Sequence, residues 1–215
     1  MKAITQLHSH KLPPTFYIQK NVCTIAKALI GKVLVTCFQN RVTTGRIVET
    51  EAYNGITDRA SHAWNGRRTS RTETMYQEGG VSYVYLCYGM HHLFNVVTNQ
   101  SGIPHAVLVR AVHPLSGKTE MLLRTGKNSL DHTLTRGPGN VTKALGIQVS
   151  HTGKSLQSAE IFIADDGFRV KPAQIVATSR IGVDYAGEDA GLLYRFFLKD
   201  DPFVSGKKVN PQPIS

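Results

Sequence analysis

The stretch that most constrains this chain is Gly45–His62, GRIVETEAYNGITDRASH. Within it, Arg46–Tyr53 has strand character, because Ile47 and Val48 favour extended backbone and Asn54-Gly55 supplies a turn directly after. On a strand the side chains alternate, so Glu49, Glu51 and Tyr53 share one face while Thr50 and Ala52 point the other way. Two carboxylates and a phenol make a poor core face, since buried charge is costly unless paired. The pattern predicts a strand with one side in the core and the other lining a pocket.

The remaining segments predict what surrounds that strand. Residues 1–14 read as a flexible arm, with Pro13-Pro14 barring a helix. Asn21–Ile30 reads as a capped helix ended by Gly31, Lys32–Phe38 as a strand, and Asn40-Arg41 as a turn. Residues 54–80 form a long loop, and a loop of that length within a domain is usually functional. It carries Arg59, His62, Arg67, Arg68 and Arg71, which taken singly read as solvated loop arginines and a loop histidine. Val81–Tyr88 and His92–Thr98 are dense in aromatic and β-branched residues and predict a hairpin, its tip at Tyr88-Gly89-Met90-His91. An exposed Tyr and Met there suit a wedge. His105–Val112 reads as a buried strand whose single charge, Arg110, has Glu51 as an available partner.

Further along, Leu115–Arg124 predicts a helix capped by Ser116 and stopped by Gly126, followed by a polar linker over residues 125–136. Arg136-Gly-Pro-Gly-Asn140 opens a helix over Val141–Leu145, and free backbone N–H groups beside an Arg make a fair phosphate site. Glu160–Ala164, Arg180–Asp184 and Tyr194–Leu198 read as late strands, and residues 206–215 as a loose tail. The mix is strand-rich without regular βαβ alternation. It predicts one α+β domain over residues 15–205, built on a curved, mostly antiparallel sheet with flanking short helices and a protruding hairpin.

Charge narrows the partner. Twenty-five Lys and Arg stand against 15 Asp and Glu in 215 residues, a net +10, which favours a polyanion such as DNA, RNA or an acidic membrane surface. Cys23, Cys37 and Cys87 are odd in number and far apart, which speaks against a disulfide framework or a structural zinc site. The first nine residues lack a secretory apolar core, and no run reaches the length of a membrane span. An intracellular protein fits these features, in cytoplasm or nucleoid if bacterial and in the nucleus if eukaryotic, although a mature secreted chain would begin the same way.

The chemistry-bearing residues are Glu51, the aromatics Tyr53, Tyr85 and Tyr88, and His62, Asn95 and Arg110. No metal-spaced cluster, no GxSxG and no SxxK is present, so what remains is water activation by a carboxylate beside a bound planar group. No metal or cofactor is expected.

The chain resembles the alkyladenine (3-methyladenine) DNA glycosylases. The resemblance rests on GRIVETEAY (45–53), His62, GGVSYVYLCYGMHHLFNVVT (79–98), VLVRAVHPLSG (107–117), RGPGNVTKALGI (136–147), RIGVDYAGEDA (180–190) and PFVS (202–205), in that order. It implies that Glu51 is the general base for the water attacking C1′, that Arg110 helps hold Glu51 and the water, and that the Ile181 carbonyl is the water's third contact. It implies an aromatic box of Tyr53, His62 and Tyr85, and an Asn95 that disfavours guanine. Tyr88, with Met90 beside it, would enter the minor groove, and Arg67, Arg136, Gly137 and Lys143 would meet the DNA backbone. The implied enzyme is a monofunctional glycosylase, expected to act as a monomer on duplex DNA. His91, His92 and Trp64 depart from the familiar pattern and bear on which lesions fit. A non-catalytic nucleic-acid-binding domain, with Glu51 structural, is the competing reading, and a nucleoside hydrolase a third.

Overall fold

The computed structural model describes residues 7–206. Its centre is β2 (Arg41–Tyr53), a 13-residue strand with neighbours on both sides. β5 (His105–Ser116) runs along one edge of β2; along the other, β1 (Val33–Phe38) covers the first half and β8 (Arg195–Leu198) the second. β3 (Ser82–Cys87) and β4 (His91–Thr98) extend the sheet beyond β5. β6 (Ile161–Ala164) flanks β1, and β7 (Ile175–Thr178) flanks β8. Each of these pairings is antiparallel. The α+β architecture expected from the sequence is the one observed.

The two sheet faces have different coverings, as the alternation in β2 requires. Thr50 and Ala52 point towards α2 (Val22–Leu29), whose Ala26 carbonyl accepts the Thr50 hydroxyl at 3.0 Å. Asn21 caps that helix, accepting from the Cys23 and Thr24 amides. The main core gathers there: Ala26, Leu29, Val84, Phe94, Val96, Val107 and Val109, with α4 (Pro138–Leu145) contributing Val141, Ala144 and Leu145. The opposite face lies under residues 54–80, where Ala63, Met75 and Tyr76 pack on Tyr83, Val97 and Ala106.

Two bulges set the aim of the charged residues. Ile47 pairs with Val112, Glu49 with Ala111 and Thr50 with Val109, so Val48 lacks a partner on β5 and Arg110 lacks one on β2. One extra residue on each strand cancels the other, and the register is the same on either side of the pair. Bulges re-aim side chains. This pair turns Arg110 towards the Glu49 and Glu51 carboxylates.

Several expectations are corrected. β5 continues to Ser116, whose Oγ lies 2.8 Å from Thr44 Oγ1 and does not cap a helix. Helix α3 (Lys118–Thr125) begins after Gly117, which has φ +74 and whose missing Cβ would sit 2.2 Å from the Val42 carbonyl oxygen. The linker over 125–136 is partly core, with Leu134 and Thr135 buried. Arg180–Asp184 is not a strand: Gly182 takes φ +76 and a 3-10 segment, Asp184–Gly191, follows. β7 is not anticipated by the sequence pattern. A short helix, α1 (Pro14–Tyr17), begins on Pro14 itself, because a proline is tolerated at the first helical position even though it breaks a helix interior. Leu12 is buried against the core, its amide donating to the Ile163 carbonyl, so the expected arm joins the body by that point. The rest of the arm over residues 1–6, and the tail from residue 207, lie outside the described residues.

Candidate active site

The register of the sheet lays the candidate residues in rows. Tyr83 pairs with Asn95, Asn95 with Leu108, Leu108 with Glu51 and Glu51 with Arg195. Directly paired residues project to the same face, so one row across five strands carries a phenol, an amide, a carboxylate and a guanidinium. Tyr53, Tyr85, Arg110 and Glu49 flank it on that same face.

Glu51 is fully buried at the centre of the row. Its Oε2 accepts from the Tyr53 hydroxyl at 2.9 Å and its Oε1 from the Ile181 amide at 2.8 Å, with Arg110 Nη1 at 3.3 Å from the same oxygen. Burial and the Glu51 carboxylate push the Tyr53 phenol well above its ordinary range, so it stays a donor. Burial opposes the charge on Arg110, but Glu51 and Glu49 outweigh it and hold the guanidinium protonated. Glu49 is the anchor below. It accepts from Arg110 Nε (3.1 Å), Arg195 Nε (2.7 Å), the Ser205 amide (2.6 Å) and the Ser205 hydroxyl (2.9 Å). The two carboxylates expected on one face do share it, in different surroundings. Glu49 is enclosed in an ion network, while Glu51 sits one layer beneath an open cleft. Ser205, which leads into the expected loose tail, is buried in that network.

The cleft, about 520 Å³, is lined by Tyr53, Arg110 and Ile181, by His62, Arg71 and Tyr85, by the hairpin residues Leu86–Tyr88, and by Gly137–Asn140. At its inner end a space of only about 30 Å³ lies between Tyr53, His62, Tyr85, Asn95 and Tyr185, room for roughly one water. Asn95 turns its Nδ2 to the Tyr83 carbonyl at 3.1 Å and the Leu93 carbonyl at 3.4 Å. Tyr185 covers the entrance, its hydroxyl donating to the Ala60 carbonyl at 3.2 Å. At the hairpin tip Tyr88 is 87% and Met90 69% exposed, and Tyr88 itself takes a positive φ of 50°. The hairpin is braced from behind, where the Thr142 hydroxyl of α4 donates to the His92 carbonyl at 2.6 Å.

A family model described as methylpurine-DNA glycosylase (MPG) matches residues 15–202. The chain belongs to the methylpurine-DNA glycosylase family. As a DNA glycosylase it is a hydrolase of N-glycosyl bonds. Relatives bearing the name "Putative 3-methyladenine DNA glycosylase" occur in Chlamydia felis (45% identical over 188 residues, 87% of this chain and 95% of the relative) and Bdellovibrio bacteriovorus (43% over 198, 91% and 99%). Another, from Clostridium perfringens, is 41% identical over 205 residues, covering 92% of this chain and all of the relative.

Of the residues singled out from the sequence of this glycosylase, Glu51, Arg110, Tyr53, His62, Tyr85, Asn95, Tyr88, Ile181 and Gly137 converge on the cleft and its inner end. Arg136 sits beside it, with Nη2 3.4 Å from the Gly206 carbonyl oxygen. Met90 and Lys143 instead line a neighbouring groove behind the hairpin. Arg67 is exposed on the 54–80 loop, its carbonyl accepting from Tyr76 and Thr72. Sequence reasoning misses the part played by five residues. Tyr185 lies just past a segment that reads as a strand, and Arg71 is one loop arginine among several. The Asp58–Arg180 pair, bonded at 2.5 and 2.8 Å, fixes the segment that presents Ile181, and Glu49 carries the network under Glu51. Only the ETE spacing hints at the last. Among the described residues, no cluster of His, Cys, Asp and Glu is suited to a metal ion, and the three cysteines are unpaired.

Proposed function

We propose that this glycosylase excises alkylated or deaminated purines, such as 3-methyladenine, hypoxanthine and ethenoadenine, from duplex DNA, with water as nucleophile and no strand cleavage. The observation that carries the proposal is Glu51: a carboxylate without exposed surface, held by Tyr53, Arg110 and the Ile181 amide, beneath a cleft that those three residues line.

The hairpin enters the minor groove and Tyr88 fills the place of the extruded nucleotide. Extrusion costs a few kcal/mol, and aromatic stacking offsets roughly 1–3 kcal/mol of it. The purine passes into the inner space between Tyr53, His62 and Tyr85, so Tyr185 gives way as it enters. Asn95 meets its edge and disfavours guanine. Glu51 takes a proton from a water held between it, Arg110 and the Ile181 carbonyl. The oxygen bonds to C1′ as the C1′–N bond breaks, and the electron pair leaves with the base. The Glu51 carboxylate supplies negative charge beside a sugar that becomes cationic in the transition state. A purine already cationic through alkylation departs neutral. Arg67, Arg136, Lys143 and the backbone at Gly137 hold the phosphates.

The test is Glu51→Gln on a hypoxanthine-containing duplex. Binding within a few-fold of wild type, with base release reduced to background, is expected. Release at the wild-type rate would refute the role given to Glu51.

A further inference from the structure

His62 is held between two partners that together fix its protons. Its Nδ1 lies 2.9 Å from the Tyr83 hydroxyl and its Nε2 3.2 Å from Arg71 Nη2. A guanidinium only donates, so Nε2 must be the unprotonated nitrogen, and the ring proton sits on Nδ1, facing Tyr83. The Arg71 guanidinium also lies over the Tyr85 ring, 5.0 Å from its centroid, and Tyr85 meets His62 edge to face at 4.6 Å. Arg71 thus touches two of the three rings proposed to grip the base, while being exposed on the 54–80 loop itself.

We infer that Arg71 is a positioning residue that locks His62 as the neutral Nδ1–H tautomer, so that the box offers a flipped base an uncharged imidazole face. The inference rests on the proposed purine-binding role of the cleft. Its consequence is selectivity: a protonated His62 would repel a base carrying positive charge from alkylation, while affecting a neutral deaminated base far less. The groups facing His62 agree in sign. Tyr53, Tyr83 and Tyr85 are phenols kept protonated by burial, and the charged neighbours, Arg71 and Arg67, are both cationic. Burial and then those two guanidiniums lower the His62 pKa to about 4. No carboxylate contributes to that shift.

The test is a long-range ¹H–¹⁵N correlation spectrum of the full-length protein labelled at histidine nitrogens, recorded through a pH titration without DNA. Wild type is expected to show His62 as Nδ1–H, titrating near pH 4. Arg71→Met should mix the tautomers and raise the titration midpoint by about one unit, a tenfold change in proton affinity, while Arg71→Lys, which keeps a donor and a charge, should restore the wild-type form. In parallel, the ratio of excision rates for 7-methylguanine over hypoxanthine at pH 5, where a midpoint raised by about one unit protonates about half of His62, should fall about twofold in Arg71→Met relative to wild type and recover at pH 8. A wild-type His62 carrying its proton on Nε2 would overturn the lock, and so would an Arg71→Met spectrum identical to wild type. An unchanged excision ratio would overturn its link to selectivity. The spectrum needs no catalysis, so a glycosylase inactive on these lesions would fail the proposed function and leave the lock separately decided.

Discussion

Glu49 shows how much a residue remote from the reacting atoms can govern. It is the single acceptor shared by Arg110, Arg195 and Ser205, and it has no solvent access. Replacing it by Ala leaves two buried guanidiniums without their shared partner, and breaking a buried pair costs about 3–5 kcal/mol. Glu49→Ala should therefore lower the midpoint of urea unfolding sharply. Glu49→Gln, which keeps the shape, should unfold later than Glu49→Ala and still lose base-release rate, because the charge that anchors Arg110 beside Glu51 is gone. His62 adds a pH term. Its folded proton affinity lies below the ordinary 6.5, so the unfolded chain binds the extra proton first. Stability should decline as pH falls from about 6.5 towards 4, and a His62→Gln variant should lose that part of the decline, as urea titrations at several pH values would show.

At the scale of elements, the hairpin is a separable tool on a fixed frame. Tyr88 is almost wholly exposed, so Tyr88→Ser should leave thermal stability within about 0.5 kcal/mol of wild type. The same change should slow release of hypoxanthine from duplex DNA roughly 5- to 150-fold, the stacking energy of one ring; single-turnover assays decide it. The hairpin and β2 are legible in the sequence because alternation and aromatic density are local signals. Their tips and faces follow directly, down to Glu51 and Tyr53 on one side. The start of α3 is not legible, because a strand running on to Ser116 is stabilised by pairing with Thr44, 72 residues away. Arg180–Asp184 fails for the same reason. Ile181 and Val183 alternate as on a strand, but Arg180 is held by Asp58 from another segment and Gly182 turns the chain away. Tyr185 and Arg71 stay hidden because only tertiary packing brings them over the box.

Across the whole molecule, the positive excess is the long-range attraction and the rows of the sheet are the reader. With a net charge of +10, affinity for duplex DNA should fall steeply with salt. Neutralising Arg67, Arg136 or Lys143 should each reduce the slope of log affinity against log salt by about 1, with similar losses on damaged and undamaged duplexes. Titrations at three or more salt concentrations measure this. The frame that carries the chemistry is more demanding than the charge. Because the unpaired Val48 and Arg110 compensate each other, the two strands are bound to a common arithmetic. A one-residue deletion in β2 near Val48 would leave the acids and the phenol out of register with β5 and Arg110. Trimming both strands together would heal the ladder yet erase the arginine's seat. Within this lineage, then, length changes in these two strands should be inherited jointly or not at all, and a graft of β2 alone into another sheet would carry the acid without its escort.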